Sequence, residues 1–259
     1  MDVVKPFDKA KTERRREMKK LITQQKSVIP ACDVMDLGKL EQIVMATSGV
    51  PGIGGYKVGL ELVIQFGLPV VVERIRGHSQ LPIIFDHQKG GTDIPELGQK
   101  FARVAKFSRA DAVILFPFGG AATEREWIKA CREEDLVVLV GGHMTQKEFL
   151  SNEGGFIAEL GPEQIYAIAA ENGVSNFVVP GNKAEFVLKY RHLLEKILGQ
   201  GNFTLYAPGF IVQGGNISET GKVAGENWHA IVGSAIYKAE GVDNMRKAAL
   251  EVTSQIAGG

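Results

Sequence analysis

The segment Pro82-Ile-Ile-Phe-Asp-His-Gln-Lys-Gly-Gly-Thr-Asp-Ile-Pro95 joins a short apolar run to a cluster of charged residues. The run leads into Asp86, Lys89 and Asp93 within eight positions. Strands of a parallel sheet are apolar on both faces, and the reactive side chains of such a sheet collect in the loops that follow the strands. The segment therefore predicts a buried strand that ends in an active site. The alternative is a solvated strand-to-helix turn, where Asp and Lys are common.

Similar apolar runs recur along the whole chain and alternate with longer amphipathic stretches, which is typical of repeated βα units. We expect eight strands, at residues 28–32, 55–59, 83–85, 112–115, 136–140, 175–179, 203–206 and 230–232. Helices are expected at 96–107, 123–133 and 184–198, with a C-terminal helix ending near Ile256. We interpret 69–76 and 161–172 as added helical segments. The pattern predicts one (β/α)8 TIM barrel over residues 28–259, with an open doubly wound sheet as the second choice.

The composition favours a small-molecule substrate over a charged polymer. Thirty basic and thirty acidic residues cancel, so no overall field attracts nucleic acid or an anionic membrane. No apolar run approaches the roughly 20 residues that span a bilayer, and the N-terminus lacks the apolar core of a signal peptide. We therefore expect a cytoplasmic protein. Cys32 and Cys131 show no metal-ligand spacing and are interpreted as free, buried thiols.

Residues 1–27 form a basic N-terminal segment, with nine of the thirty bases between Lys5 and Lys26. We interpret it as a helical extension packed outside the barrel, with Met18, Leu21 and Ile22 facing inward. Contact with nucleic acid is the weaker alternative, because Phe7 is the only aromatic residue among these bases that could stack on a nucleotide.

Lys57 lies in the otherwise apolar segment 55–60, where an unpaired ammonium would cost several kcal/mol of desolvation. It therefore needs carboxylate neighbours, and the adjacent strands supply Asp33 and Asp86. Such an array keeps each member ionised. If Asp86 faces a substrate carboxylate, the repulsion destabilises the ground state, while Lys89 offers a proton to the carbon that CO2 leaves. A buried structural ion pair is the alternative interpretation of Lys57.

Glycine-rich segments follow the seventh and eighth predicted strands, at 206–216 and 231–237. Loops at these positions commonly bind phosphate in a barrel. The predicted donors are the backbone NH groups of Gly214, Gly215, Gly233 and Ser234, together with the side-chain amide of Gln213. Plain loop geometry is the alternative reason for the glycines.

His143, in the segment 141–145, has three possible roles: an acid or base, a contact stacked on a substrate base, or a hydrogen-bonded surface residue. We favour the surface residue. The sequence contains no His/Cys/Asp/Glu cluster with metal-ligand spacing, no Gly-x-Ser-x-Gly elbow and no P-loop. We therefore expect no metal site and no covalent serine.

These motifs, taken in order, resemble those of the orotidine 5'-phosphate decarboxylase family from Val28 to the C-terminal helix. The matching blocks are Ala31-Cys-Asp33, Tyr56-Lys-Val-Gly-Leu60, Asp86 to Pro95, Pro208-Gly with Gln213-Gly-Gly, and Ile231-Val-Gly with Ile236-Tyr. The resemblance implies a TIM barrel that forms UMP without a cofactor, from a nucleotide monophosphate, as a homodimer with its sites at the interface.

Carried over by position, the resemblance implies that Lys89 protonates C6 and that Asp86 opposes the departing carboxylate. Lys57 would complete the charge network, and Asp93 would reach into the partner subunit's site. The residues implied in substrate binding are Asp33, Thr92, Ile94, Thr145, Pro180, Gln213, Gly214, Gly233 and Ser234, with Asp33 and Lys57 on the ribose and Pro180 near the base.

This chain departs from the family pattern at three places. Its signature is Asp-x-x-Lys-x-x-x-Asp, one residue longer on each side of Lys89. Ser234 replaces a phosphate-binding arginine, so either backbone groups suffice or Lys183 or Lys238 substitutes. Near Leu97 the family carries a threonine that contacts ribose, and Thr92 is the proposed substitute.

Three other functions stay open at this stage. One is a related sugar-phosphate decarboxylase or aldolase that uses a metal, although such enzymes tend to carry a glutamate in place of Lys57. Another is a Schiff-base aldolase using Lys57 or Lys89. The last is a non-catalytic nucleotide-binding barrel, which the replacement at Ser234 and the longer signature would favour.

Overall fold

The computed structural model describes residues 20–87, 93–210 and 214–257. This part of the chain forms eight parallel strands. They are β1 Lys26–Pro30, β2 Tyr56–Val58, β3 Ile83–Asp86, β4 Ala112–Leu115, β5 Val137–Gly141, β6 Asn176–Val178, β7 Thr204–Ala207 and β8 Trp228–Val232. Each predicted strand overlaps one of these, so the predicted alternation is confirmed.

The strands pair in the order β1-β8-β7-β6-β5-β4-β3-β2. Between β1 and β2 the sheet closes through two isolated parallel bridges, Val28 to Ile53 and Ala31 to Lys57. The NH group of Cys32 also donates a hydrogen bond of 2.8 Å to the carbonyl of Lys57. The sheet is therefore a nearly closed (β/α)8 barrel, as predicted, and the open doubly wound sheet is wrong.

Ten α-helices surround the strands in the described residues. They are α1 Leu37–Thr47, α2 Leu60–Phe66, α3 Leu68–Arg76, α4 Gly98–Phe107, α5 Ala121–Glu133, α6 Gly161–Glu171, α7 Ala184–Leu198, α8 Ile217–Ala224, α9 Ser234–Tyr237 and α10 Gly241–Ala257. The four predicted helices are confirmed. The predicted addition at 161–172 is α6, which is the ordinary helix of the fifth βα unit, because residues 142–175 contain no other α-helix.

Two layers of apolar side chains hold the barrel together. The interior layer lies inside the strands and contains Ile29, Ile84, Ile114, Leu139, Val178, Tyr206 and Ile231. The outer layer packs the strands against the helices. Both faces of each strand are therefore buried, which explains why the strands are apolar throughout. Cys32 and Cys131 are free and buried within the outer layer, as predicted.

The start of the described chain closes the N-terminal end of the barrel. Ile22 is 4% exposed and belongs to the interior layer, with Leu21 packed against it, as predicted. Residues 21–25 are bends and not a helix, and β1 begins at Lys26, inside the expected extension. The rest of the predicted helix, including Met18, lies outside the described residues. No helix in the described ranges is long and apolar enough to cross a membrane.

Candidate active site

Three charged side chains from neighbouring strands meet at the C-terminal end of the barrel. Lys57 Nζ, on β2, lies 2.9 Å from Asp33 Oδ1 and 2.6 Å from Asp86 Oδ2. Lys57 is 5% exposed and Asp86, the last residue of β3, is fully buried. Burial opposes the charge on Lys57, but Asp86 and Asp33 outweigh it and raise the pKa of Lys57 above its usual value. The predicted carboxylate neighbours of Lys57 are thus in place, and we call these three residues the ionic triad.

Gly59 lies in close packing beside the ionic triad. A Cβ atom there would lie 2.8 Å from Glu61 Oε2 and 3.0 Å from Asp33 Oδ1, so at least the Glu61 carboxylate would have to move. Glu61 lies in the first turn of α2, and our interpretation of the sequence missed it as a neighbour of the triad. Glu61 follows Lys57 by four residues, and β2 ends between them. Its place just after a strand end was the feature of the sequence that could have marked it as a neighbour of the triad.

The loop after β3 carries the expected catalytic signature, but Lys89 and Thr92 lie outside the described residues. The loop resumes at Asp93, whose Oδ1 accepts a hydrogen bond of 2.7 Å from the NH group of Ile94. Thr123 Oγ1 donates to the Asp93 carbonyl at 3.0 Å, and Trp127 Nε1 donates to the Ile94 carbonyl at 3.1 Å. Helix α5 therefore anchors this end of the loop. Asp93 and Ile94 are exposed and do not line the cavity described next.

A cavity of about 290 Å³ lies above the ionic triad. Its floor is apolar and its rim is polar. The floor comprises Ala31, Ile114, Phe116, Val178 and Ile231, and the remaining lining residues are Asp33, Lys57, Asp86, His143, Met144, Thr145, Pro208, Gly209, Phe210, Gly233, Ser234, Tyr237 and Lys238. A concave site in which an apolar floor meets several convergent polar groups is typical of a small-molecule site.

The loops after β7 and β8 line one side of the cavity, as expected for a phosphate subsite. Gly233 and Ser234 line it, whereas Gly214 is exposed outside it and Gln213 lies outside the described residues. Pro180 is buried and does not line the cavity, and Pro208 after β7 lines it instead.

The two lysines considered as substitutes for the missing arginine occupy different places. Lys183 Nζ lies 3.0 Å from His143 Nε2 and 3.4 Å from Glu153 Oε2, and it does not line the cavity. Lys238 lines the cavity one turn after Ser234. Of the two, the structure places only Lys238 at the cavity.

His143 is 1% exposed, so the prediction that it is a surface residue is wrong. Its ring stacks on Phe149 with centroids 5.2 Å apart, and its Nδ1 lies 2.7 Å from the Tyr190 hydroxyl. Burial, followed by the charge of Lys183, lowers the pKa of His143 to about 4. Phe149 belongs to the same loop, but Phe186 and Tyr190 come from the distant helix α7, and no local pattern reveals that helix as a neighbour.

No group of three or more His, Cys, Asp or Glu side chains within the described ranges is arranged to hold a metal ion. The cation that Asp33 and Asp86 share is the Lys57 ammonium of the same triad.

Known proteins share both the sequence pattern and the fold. A family model described as "Orotidine 5'-phosphate decarboxylase / HUMPS family" matches residues 26–249. The chain is 27% identical over 220 residues to an orotidine 5'-phosphate decarboxylase of Methanococcus maripaludis strain S2, covering 84% of this chain and 92% of the relative.

Two solved structures of orotidine 5'-phosphate decarboxylases share the fold of this chain. The one from Pyrococcus horikoshii OT3 aligns with a TM-score of 0.72 and 25% identity, over 90% of this chain and 100% of its own. The one from Methanocaldococcus jannaschii, solved with the inhibitor BMP, aligns with a TM-score of 0.76 and 22% identity, over 89% and 98%. With an ionic triad beneath the cavity of a barrel and a family match that spans nearly all of that barrel, this chain belongs to the orotidine 5'-phosphate decarboxylase / HUMPS family.

Proposed function

We propose that this chain decarboxylates orotidine 5'-phosphate to UMP in pyrimidine biosynthesis, without a cofactor. The observation that carries the proposal is the ionic triad beneath the cavity. The family match and the names of the curated relatives support the same reaction.

Asp86 supplies the repulsion in this proposal. It is fully buried and paired with Lys57, and it lines the cavity. A substrate carboxylate held against Asp86 would bring two like charges together in a site with little water. Loss of neutral CO2 relieves this repulsion, so the interaction raises the ground state relative to the transition state.

Lys89 is the proposed proton donor. When the bond between C6 and the carboxylate breaks, its electron pair stays on C6 and takes a proton from the Lys89 ammonium. Lys57 is a poor alternative donor, because two carboxylates hold its proton and raise its pKa. In the sequence, Lys89 follows by three residues the Asp86 that lines the cavity, as the resemblance to the family requires of the proton donor.

Lys238 is the proposed cation for the substrate phosphate. Its NH group donates to the Ser234 carbonyl at 3.2 Å, so Lys238 continues the turn of α9. Helical side chains lean toward the N-terminus, and a residue four positions on covers the surface above the earlier one. Lys238 is thus positioned to supply a charge above Ser234, where the family carries an arginine.

The remaining substrate contacts follow the expectations from the sequence. Asp33, whose side chain is 27% exposed, is placed to accept hydrogen bonds from ribose hydroxyls beside Lys57. Thr145 lines the cavity and offers a hydroxyl to the base. The Gly233 and Ser234 backbone binds the phosphate. Contacts from Thr92, Ile94, Gln213 and Gly214 stay predictions, and Pro208 is a better placed contact than Pro180.

The proposal includes a cytoplasmic homodimer in which Asp93 serves the partner's site. Asp93 is exposed and does not line its own cavity, and Ile94 beside it is 57% exposed. A carboxylate and an apolar side chain that both face outward near the cavity are suited to contact a second copy.

A non-catalytic nucleotide-binding barrel is the second candidate function. Ser234 and the lengthened signature around Lys89 favour it, because both alter reactive parts of the family pattern. A Schiff-base aldolase is less compatible with the structure, because a Lys57 amine held protonated by two carboxylates is not nucleophilic.

The deciding experiment follows the ultraviolet absorbance of orotidine 5'-phosphate with the purified protein. We expect turnover by the natural chain and its loss in Lys89→Ala. Turnover that survives Lys89→Ala would refute the assignment of the proton donor. Absence of turnover in the natural chain together with tight binding of UMP would instead favour the binding barrel.

A further inference from the structure

Two consecutive residues of the loop between β6 and α7 hold one side of the cavity. Asn182 Nδ2 donates a hydrogen bond of 3.0 Å to the Thr145 carbonyl. Lys183 Nζ lies 3.0 Å from His143 Nε2. Residues 143–145 follow β5 and all three line the cavity, and we call them the β5 wall. The Asn182–Lys183 pair thus binds the first and last residues of this wall.

The contacts of His143 leave its ring no part in proton transfer. A lysine ammonium only donates hydrogen bonds, so Nε2 must accept from Lys183 and the ring proton lies on Nδ1. Nδ1 then donates to the Tyr190 hydroxyl at 2.7 Å. Both ring nitrogens are engaged away from a substrate, so His143 is a neutral part of the wall and neither an acid nor a base.

Lys183 is itself held in place. Its Nζ lies 3.4 Å from Glu153 Oε2, and its side chain is 16% exposed. Glu153 ends the short 3-10 helix Ser151–Glu153 in the same loop that starts with the β5 wall. Lys183 therefore joins the start of this loop to its 3-10 helix.

The β5 wall lies across the barrel mouth from Asp33, three strands from Lys57 on β2 and two strands from Asp86 on β3. In the closed order of strands, β5 is four strands from β1 in either direction, and Asp33 follows β1. The cavity therefore has a charged side and an uncharged side. The charged side suits the reacting carboxylate, and the uncharged side, with the Thr145 hydroxyl, suits a neutral heterocyclic edge that donates and accepts hydrogen bonds.

We propose that Asn182 and Lys183 are positioning residues that fix the β5 wall so that it recognises the uncharged edge of the substrate's pyrimidine ring. This inference rests on the proposed function of the same cavity. Because the wall contains neither the acid that opposes the carboxylate nor the proposed proton donor, its loss weakens binding and leaves the chemical step nearly intact.

The test replaces Lys183 with Met, which keeps the length of the side chain and removes its charge and its donors. We expect the KM for orotidine 5'-phosphate and the Kd for UMP to rise about tenfold, with kcat changed less than about threefold. Lys183→Arg keeps a donor and should recover much of the affinity. Lys196→Met is the matched control, because Lys196 is exposed in the last turn of the same helix, α7. Its KM should stay unchanged.

The ring of His143 gives a readout that does not depend on catalysis. Its 15N shifts in the free protein should show a protonated Nδ1 and an accepting Nε2. Lys183→Met should change the Nε2 shift, and Lys196→Met should leave it unchanged. A folded Lys183→Met with unaltered KM and unaltered UMP affinity would overturn the proposal. So would a fall in kcat at constant KM, because it would give the pair a role in the chemical step.

The binding of UMP separates this proposal from the proposed function. If the natural chain binds UMP without decarboxylating orotidine 5'-phosphate, the proposed reaction fails. The Kd of Lys183→Met for UMP then still tests whether Lys183 positions the β5 wall. If the natural chain turns over the substrate and Lys183→Met matches it in both constants, only the inference about the wall fails.

Discussion

Lys57 and Asp86 form a buried ion pair of 2.6 Å that joins β2 to β3 at the base of the cavity. Neither residue has access to bulk water, since Lys57 is 5% exposed and Asp86 is fully buried. A charge buried in this way depends on its partner. The pair therefore links the stability of the barrel to the arrangement of its candidate catalytic groups.

Replacing Lys57 with Met should damage both stability and activity. The change leaves Asp86 buried beside Asp33 without their shared cation, and breaking a buried pair costs about 3–5 kcal/mol. We expect denaturant unfolding to show a loss of this size, and kcat/KM to fall about a hundredfold or more. Arg74→Met is the control, because its pair with Glu41 is exposed and should contribute less than about 1 kcal/mol. Equal stability of the two variants would contradict a structural role for the triad.

Gly59→Ala should lower activity by displacing the acids beside Lys57. The added methyl group would lie 3.0 Å from Asp33 Oδ1 and 2.8 Å from Glu61 Oε2, so at least one carboxylate must move. We expect kcat/KM to fall about tenfold, because small errors in position are costly at a reacting centre. Gly49→Ala is the matched control, since a Cβ there meets nothing within 4 Å. Natural activity in Gly59→Ala would show that the packing at this site is looser than described.

Lys238→Ala should weaken recognition of the phosphate specifically. We expect kcat/KM for orotidine 5'-phosphate to fall about 10- to 100-fold, as for loss of a hydrogen bond to a charged group, with partial recovery in Lys238→Arg. The same variant should leave the slow reaction of orotidine, which lacks the phosphate, unaffected. Lys222→Ala serves as the control, because Lys222 pairs with Glu219 on the exposed side of α8. An equal loss with both substrates would mean that Lys238 does not act on the phosphate.

Glu124 should make the protein less stable as the pH rises from 6.5 to 8. Glu124 is 1% exposed on α5, and burial, only partly offset by Arg125, raises its pKa to about 8. The folded state therefore keeps a proton that the unfolded state releases near its usual pKa, so stability falls with rising pH until Glu124 ionises in the folded state. Tm measured at pH 6.5 and 8 should decline in the natural chain and much less in Glu124→Gln.

The same pH comparison has an internal check. His143 and His229 have pKa values lowered by burial to about 4 and about 3, so their contribution to stability rises slightly above pH 6.5 as the unfolded chain loses its last histidine protons. This change is opposite in sign to that of Glu124 and is shared by the natural chain and Glu124→Gln, so the difference between the two isolates Glu124. A decline in Tm that is identical in the natural chain and in Glu124→Gln would assign it to another group.

The barrel and the ionic triad could be predicted because their causes are local. Each strand is a short apolar run, and its period and length are visible in the sequence without any distant partner. Lys57 could be placed among acids because an ammonium in an apolar strand requires them, and the neighbouring strands end in Asp33 and Asp86. The order of parallel strands then brings those ends together.

The other assignments depend on packing between distant segments. His143 resembled an exposed loop residue, but Phe149 of the same loop and Phe186 and Tyr190 of α7 bury it. The sequence could not decide whether Lys183 or Lys238 replaces the phosphate-binding arginine of the family, because both lysines follow strand ends.

The sequence by itself determined the repeated βα pattern, the strand ends and the need to neutralise Lys57, because short-range periodicity and the cost of burying a charge act on each segment alone. Only the tertiary structure decided that Lys183 joins His143 and Glu153, that Lys238 faces the cavity, and that Pro208 lines it in place of Pro180. Those contacts arise where loops from different units meet, and their geometry follows from closure of the whole barrel.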